Sequence, residues 1–141
     1  MRPLRNSLSD ASYSDLLGVT DSETIFALLL DRLREAEARP GDAGALAEAI
    51  NETVHQVSKV CSTLGVYAAL NVGATDGEAF VFTRYSTEGP GISLYFIESG
   101  EAFPNAVVIA SERLDRDDGW WRVPDRHLLV ASIEGVTTRP L

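Results

Sequence analysis

Two stretches, AFVFTRY at residues 79–85 and ISLYFI at residues 92–97, decide the fold class. An antiparallel strand with one wet face alternates apolar and polar side chains. These two do not: Phe80, Val81 and Phe82 are consecutive, as are Leu94, Tyr95, Phe96 and Ile97. Both faces of the sheet they form therefore expect cover. Similar strand-like runs are VYAALNV (66–72), AVVIAS (106–111) and HLLVASI (127–133). Turn-rich segments separate them: Thr75-Asp76-Gly77, Glu88-Gly89-Pro90-Gly91, and a stretch holding Gly100 and Pro104. The pattern predicts an antiparallel meander of about five strands over residues 64–141.

Upstream the period changes to that of helices. Ile25, Phe26, Leu29, Leu30 and Leu33 recur at helical spacing among charged residues until Pro40-Gly41. Leu46, Ala49, Ile50, Val54, Val57 and Val60 form a second stripe over residues 43–63, with Gly65 beyond its end. Residues 19–63 thus read as two antiparallel helices, and residues 1–18 as an irregular lead-in. The class is α+β. Two helices can roof one sheet face only, so the other face expects a second layer from outside the chain or self-association.

Composition narrows the function. A chain of 141 residues, 45% hydrophobic and 23% charged, suits one globular unit and excludes a disordered or fibrous one. The formal charge of −9, with no basic run, argues against nucleic acid and anionic membrane surfaces as partners. Cys61 is the single cysteine, so no internal disulfide exists, and the absence of a signal-like core or long apolar span gives a cytoplasmic expectation.

Few residues carry chemistry. His55 and Cys61 stand six apart on the second helix, about 600° of turn, which leaves them on roughly opposite faces and supports no Cys–His dyad. Cys61 reads as a small core residue. No metal-ligand spacing or glycine-rich phosphate loop is present, and no cofactor is expected. Asp115, Asp117 and Asp118 lack the ligand ladder of a calcium loop and read as a solvated turn, with Trp120 and Trp121 pinning it to the sheet edge. Arg84 points at buried surroundings from within a strand and expects a carboxylate partner. Thr20-Asp21-Ser22-Glu23 matches a capping box in which Thr20 and Glu23 serve the helix. The box leaves the Asp21 carboxylate over, at a helix start that keeps it ionised and suits an α-ammonium group. Either reading of Asp21, plain first-turn acid or ligand contact, fits this stretch.

The order of short motifs adds a resemblance that runs from about Val19 to the end of the chain. Val19-Thr20-Asp21-Ser22-Glu23, Leu70-Asn71 with Thr75-Asp76-Gly77, Thr83-Arg84-Tyr85, Leu94-Tyr95, Ala110-Ser111-Glu112 with Leu114-Asp115, and Trp121-Arg122-Val123-Pro124 follow one another along the chain. Together they resemble the C-terminal part of class II glutamine amidotransferases. Pro124-Asp125-Arg126-His127-Leu128 and the ending Thr138-Arg139-Pro140-Leu141 lean towards the stand-alone γ-glutamyl amidohydrolases of ergothioneine biosynthesis. Arg113, where a proline is usual, departs slightly from that pattern.

The resemblance implies residues 1–141 as part of one amidotransferase domain, half of an αββα N-terminal-nucleophile sandwich. It implies an N-terminal cysteine that attacks the γ-carboxamide of glutamine or a γ-glutamyl compound, and Asp21 as the contact for the substrate's α-ammonium. The nucleophile, the arginine for the α-carboxylate and the Asn-Gly oxyanion pair belong to the family's N-terminal half and have no counterpart here. The chain begins Met1-Arg2. The expectation is therefore a shortened or incomplete enzyme, inactive alone, whose missing half covers the second sheet face. The rival expectation is a non-catalytic module that pairs through that face.

Overall fold

The computed structural model describes residues 2–141. Its elements in order are α1 (Arg2–Arg5), α2 (Asp10–Ser14), α3 (Asp21–Glu35), α4 (Ala43–Thr63), β1 (Gly73–Thr75), β2 (Phe80–Arg84), β3 (Tyr95–Gly100), β4 (Phe103–Ala110), β5 (Trp121–Arg122), β6 (His127–Ser132) and β7 (Gly135–Pro140). The α+β class holds. The single five-stranded sheet does not: the seven strands form two antiparallel sheets, ordered β1-β2-β6-β7 and β4-β3-β5.

Alternation along the central strands explains the layering. Val81 on β2 and Leu128 on β6 join a core with Leu28, Leu46, Ile50 and Val54 of α3 and α4. Phe82, Leu129 and Ala131 point the other way and pack with Leu94, Phe96, Ile109 and Val123 of the second sheet. The order of layers is helices, sheet, sheet. The face expected to await a partner is thus occupied at its centre by the chain's own β3, β4 and β5. An apolar gap of about 140 Å³ lined by Phe80, Phe82, Val107, Ile109 and Ala131 is left beside it.

Arg84 joins the two sheets. It is 3% exposed, and its carboxylate partner was a wrong expectation. The guanidinium donates instead to three main-chain carbonyls, Ile92 at 3.0 Å, Val123 at 2.8 Å and Gly91 at 3.2 Å. The planar fork meets carbonyl groups fanned around it, which gives each guanidinium nitrogen an acceptor without a second buried charge.

The strand expected at residues 66–72 also changes. Only an isolated bridge, Ala69 to Ser86, and scattered backbone bonds such as Leu70 N–H to the Tyr85 carbonyl form there, and the regular strand starts at Gly73. The cause is Thr83, whose hydroxyl donates to the Leu70 carbonyl at 2.7 Å and accepts from the Val72 amide at 3.1 Å, taking positions a backbone ladder would use. At the other end, β7 reads GVTTRP and has no apolar run to announce it. It is an edge strand, where Pro140 leaves no central ladder bond unmade.

The lead-in is not irregular. Ser9 caps α2, and its N–H and hydroxyl both donate to the Asp31 carboxylate of α3, at 2.8 and 2.7 Å. The Ser12 hydroxyl adds a third bond at 2.6 Å. Burial raises the Asp31 pKa, but the bonds from Ser12 and Ser9 and the nearby Arg34 outweigh it and hold the carboxyl below its ordinary 3.8. The Leu4 side chain of α1 sits in the helix-side core.

Two predictions follow from these contacts. Arg84→Met leaves the buried Gly91 and Val123 carbonyls without donors and should cost roughly 3 kcal/mol in chemical denaturation, with Arg84→Lys recovering only part. Asp31→Asn should cost about 2 kcal/mol at pH 7. A depressed folded-state pKa stabilises above the unfolded value, so the wild-type advantage should shrink as pH falls below 3.8 and vanish beneath the folded-state value. A gap in melting temperature that persisted unchanged in acid would contradict the ionised latch.

Candidate functional site

The helix start at α3 supplies the site. Thr20 has extended backbone, φ −77° and ψ 154°, and its hydroxyl accepts from the Glu23 amide at 3.2 Å, as a cap should. Glu23 departs from the capping-box pattern. It reaches beyond Thr20 and accepts from the Leu17 and Gly18 amides, each at 2.8 Å to Oε1. A Cβ on Gly18 would come within 2.8 Å of the Glu23 carboxylate, so the close approach needs glycine or a shift of that side chain.

Asp21 is exposed, and among the described residues its carboxylate accepts no hydrogen bond and forms no ion pair. It borders a cleft of about 520 Å³ with Ser22, Ile25, Cys61, Tyr67 and Asn71. That volume lies within the range of small-molecule sites, with a carboxylate at one side and an apolar wall at the other. A smaller hollow of about 260 Å³, shared by Ser22, Ile25, Phe26, Asn71, Val72 and Gly73, continues along the β1 edge.

Asn71 and the 66–72 segment are the parts that sequence reasoning undervalued. The Asn71 amide nitrogen donates to the Ile92 and Ser93 carbonyls at 3.2 and 3.4 Å, which fixes the cleft floor to the loop before β3. Ile92 is the same carbonyl that Arg84 holds. The Leu70-Asn71 pair was visible in the sequence, but its partner lies 21 residues away.

The other candidates are dispersed. Cys61 is half-buried against the helix-side core and borders the cleft, so it is less interior than expected. His55 is exposed and its Nδ1 faces the Asn51 carbonyl, with no bond to Cys61 among the described residues. His127 faces the Asp125 carbonyl at the start of β6. The acidic turn is self-satisfied: Asp115 accepts from the Asp117 amide and the Trp120 indole, and Asp117 from the Gly119 and Glu101 amides. The Glu101 and Gly119 amides hold the Asp117 carboxyl below its ordinary value. Trp120 is buried and pins this turn, whereas Trp121 is 70% exposed. Among the described residues no group of three or more His, Cys, Asp or Glu could hold a metal, and no helix is long and apolar enough to cross a membrane.

No protein-family model matches the chain. Individual proteins do. The probable glutamine amidotransferase DUG3 of Saccharomyces cerevisiae is 28% identical over 170 aligned residues, covering 99% of this chain and 48% of its own length. The gamma-glutamyl-hercynylcysteine sulfoxide hydrolase of Mycobacterium tuberculosis is 39% identical over 74 residues, 52% of this chain and 28% of that protein. Its Mycolicibacterium smegmatis counterpart is 32% identical over 94 residues, 67% and 36%. A solved glutamine aminotransferase class-II domain protein from Silicibacter pomeroyi superposes with a TM-score of 0.73 at 26% identity, over 99% of this chain and 60% of that one. The two-sheet α+β architecture and these likenesses define a class II glutamine amidotransferase-like protein. The chain spans about half the length of the yeast relative and about a third of the mycobacterial ones.

The cap and the carboxylate separate experimentally. Thr20→Ala should lower stability by about 1 kcal/mol through loss of the cap. Asp21→Asn should leave the melting temperature almost unchanged, since nothing in the fold uses its carboxylate, and a large loss there would assign Asp21 to folding.

Proposed function

We propose that this chain carries the glutamyl-recognition part of an amide hydrolase acting on glutamine or a γ-glutamyl compound, with Asp21 gripping the substrate's α-ammonium. The observation that carries the reading is the Asp21 carboxylate itself. It stands at the start of α3 beside a cleft, unused by the capping network around it. A carboxylate binds an ammonium through short, charge-assisted bonds. Relatives named as a glutamine amidotransferase and as γ-glutamyl hydrolases support the substrate class.

In the proposed chemistry an N-terminal cysteine thiolate attacks the γ-carbonyl, expels the amine and leaves a glutamyl thioester that water hydrolyses. Its own α-amine serves as the base. The proposal assigns this nucleophile to a position outside residues 1–141 and gives Cys61 no part in it. Cys61 lies in the last turn of α4, and no base is hydrogen-bonded to it among the described residues.

Residues 1–141 alone should therefore release no ammonia from glutamine and no glutamate from γ-glutamyl compounds. A coupled glutamate assay checks this. Turnover that disappears in Asp21→Ala would overturn the assignment of the nucleophile while supporting the site, and turnover lost in Cys61→Ser would make Cys61 the nucleophile.

A further inference from the structure

We propose that Arg5 and Glu23 are positioning residues that together clamp Gly18 and thereby fix the direction in which Asp21 presents its carboxylate; this rests on the reading of Asp21 given above. Between Leu17 and Thr20 the chain has almost no packing to hold it. Leu17 is 95% and Val19 83% exposed. Polar contacts must supply the order that burial does not.

They come from both sides of Gly18. Its N–H, with that of Leu17, donates to the Glu23 carboxylate. Its carbonyl accepts from Arg5 Nη2 at 3.1 Å. Both peptide units that meet at the Gly18 Cα are therefore tied, one to α3 and the other to the helical turn α1. The Arg5 Nε also donates to the Thr24 hydroxyl at 3.4 Å, and that hydroxyl in turn donates to the Thr20 carbonyl at 3.2 Å. Thr24 is fully buried, so this hydroxyl is a fixed point. Thr20 is held again by its own bond from the Glu23 amide. The loop is thus anchored before Asp21 at four main-chain groups, the Leu17 and Gly18 amides and the Gly18 and Thr20 carbonyls, while Leu17 and Val19 lie in solvent. Asp21 itself contributes nothing to the network, which is what leaves it open to a ligand.

The lead-in segment acquires a role through Arg5. The Arg5 guanidinium bonds to Gly18 and Thr24, and Leu4 beside it is buried in the core and borders the same cleft. Glu23 is placed two residues from Asp21, so its charge and its geometry need separating. Gln retains an Oε1 that can accept from both amides but removes the charge.

The test compares binding of L-glutamine with that of glutaramate, its analogue without the α-amine, by chemical-shift titration of residues 1–141. Wild type should prefer L-glutamine. Arg5→Ala and Glu23→Ala should each reduce that preference by about five- to tenfold, the worth of one or two hydrogen bonds. Glu23→Gln should keep most of it. Thermal melts establish that each variant remains folded. If the preference survives intact in folded Arg5→Ala and Glu23→Ala, the clamp is overturned and Asp21 stands. If both ligands weaken equally, the clamp is likewise overturned, because a general loosening does not single out the ammonium. If wild type shows no preference, or the preference persists in Asp21→Asn, the reading of Asp21 fails and this inference fails with it.

Discussion

A guanidinium buried between two sheets is the contact on which the layered structure turns. Taking the Arg84 charge out of water is costly unless its nitrogens find acceptors. The Gly91, Ile92 and Val123 carbonyls meet that need, and they lie on the two segments that lead into β3 and β6. The second sheet is thereby tethered to β2 at a defined place, and the apolar residues of β2, β6 and β3 close over the tether. Because Ile92 also accepts from Asn71, the same anchor reaches the floor of the cleft.

Acids outnumber bases in this chain, and several of them serve its own polar groups. Asp31 takes three donors from the first eighteen residues, and Asp76 ties the β1–β2 turn to the Gly41 amide. The Ala79, Glu78 and Gly41 amides keep Asp76 below the ordinary carboxylate value. Glu23 holds the loop before α3. Against that use, Asp21 bonds to nothing among the described residues and borders a cleft, where it is open to the partner proposed for it. An α-ammonium has the charge and the donors to be that partner.

Part of the fold and of the site was legible in the chain. The 3.6-residue period marked α3 and α4, and Thr20 and Asp21 were read in their places, because a cap and a helix face depend on neighbours a few residues apart. The lead-in was misread since its order comes from Asp31 and Gly18, to which Ser9, Ser12 and Arg5 are joined across 13 to 22 residues. β7 was missed because an edge strand of threonines and arginine carries no hydrophobic alternation. The partner of Arg84 was misjudged because main-chain carbonyls leave no trace in side-chain identity.

The sequence by itself determined the class of elements, the doubly apolar strands and a carboxylate left over by its helix cap, since each is a matter of local spacing. Only the tertiary structure decided that the second layer over β2 and β6 comes from β3, β4 and β5 of the same chain. It also decided that Arg5 and Glu23 meet at Gly18. Both depend on which distant groups satisfy a buried or loosely packed backbone, and a linear pattern holds no record of that pairing.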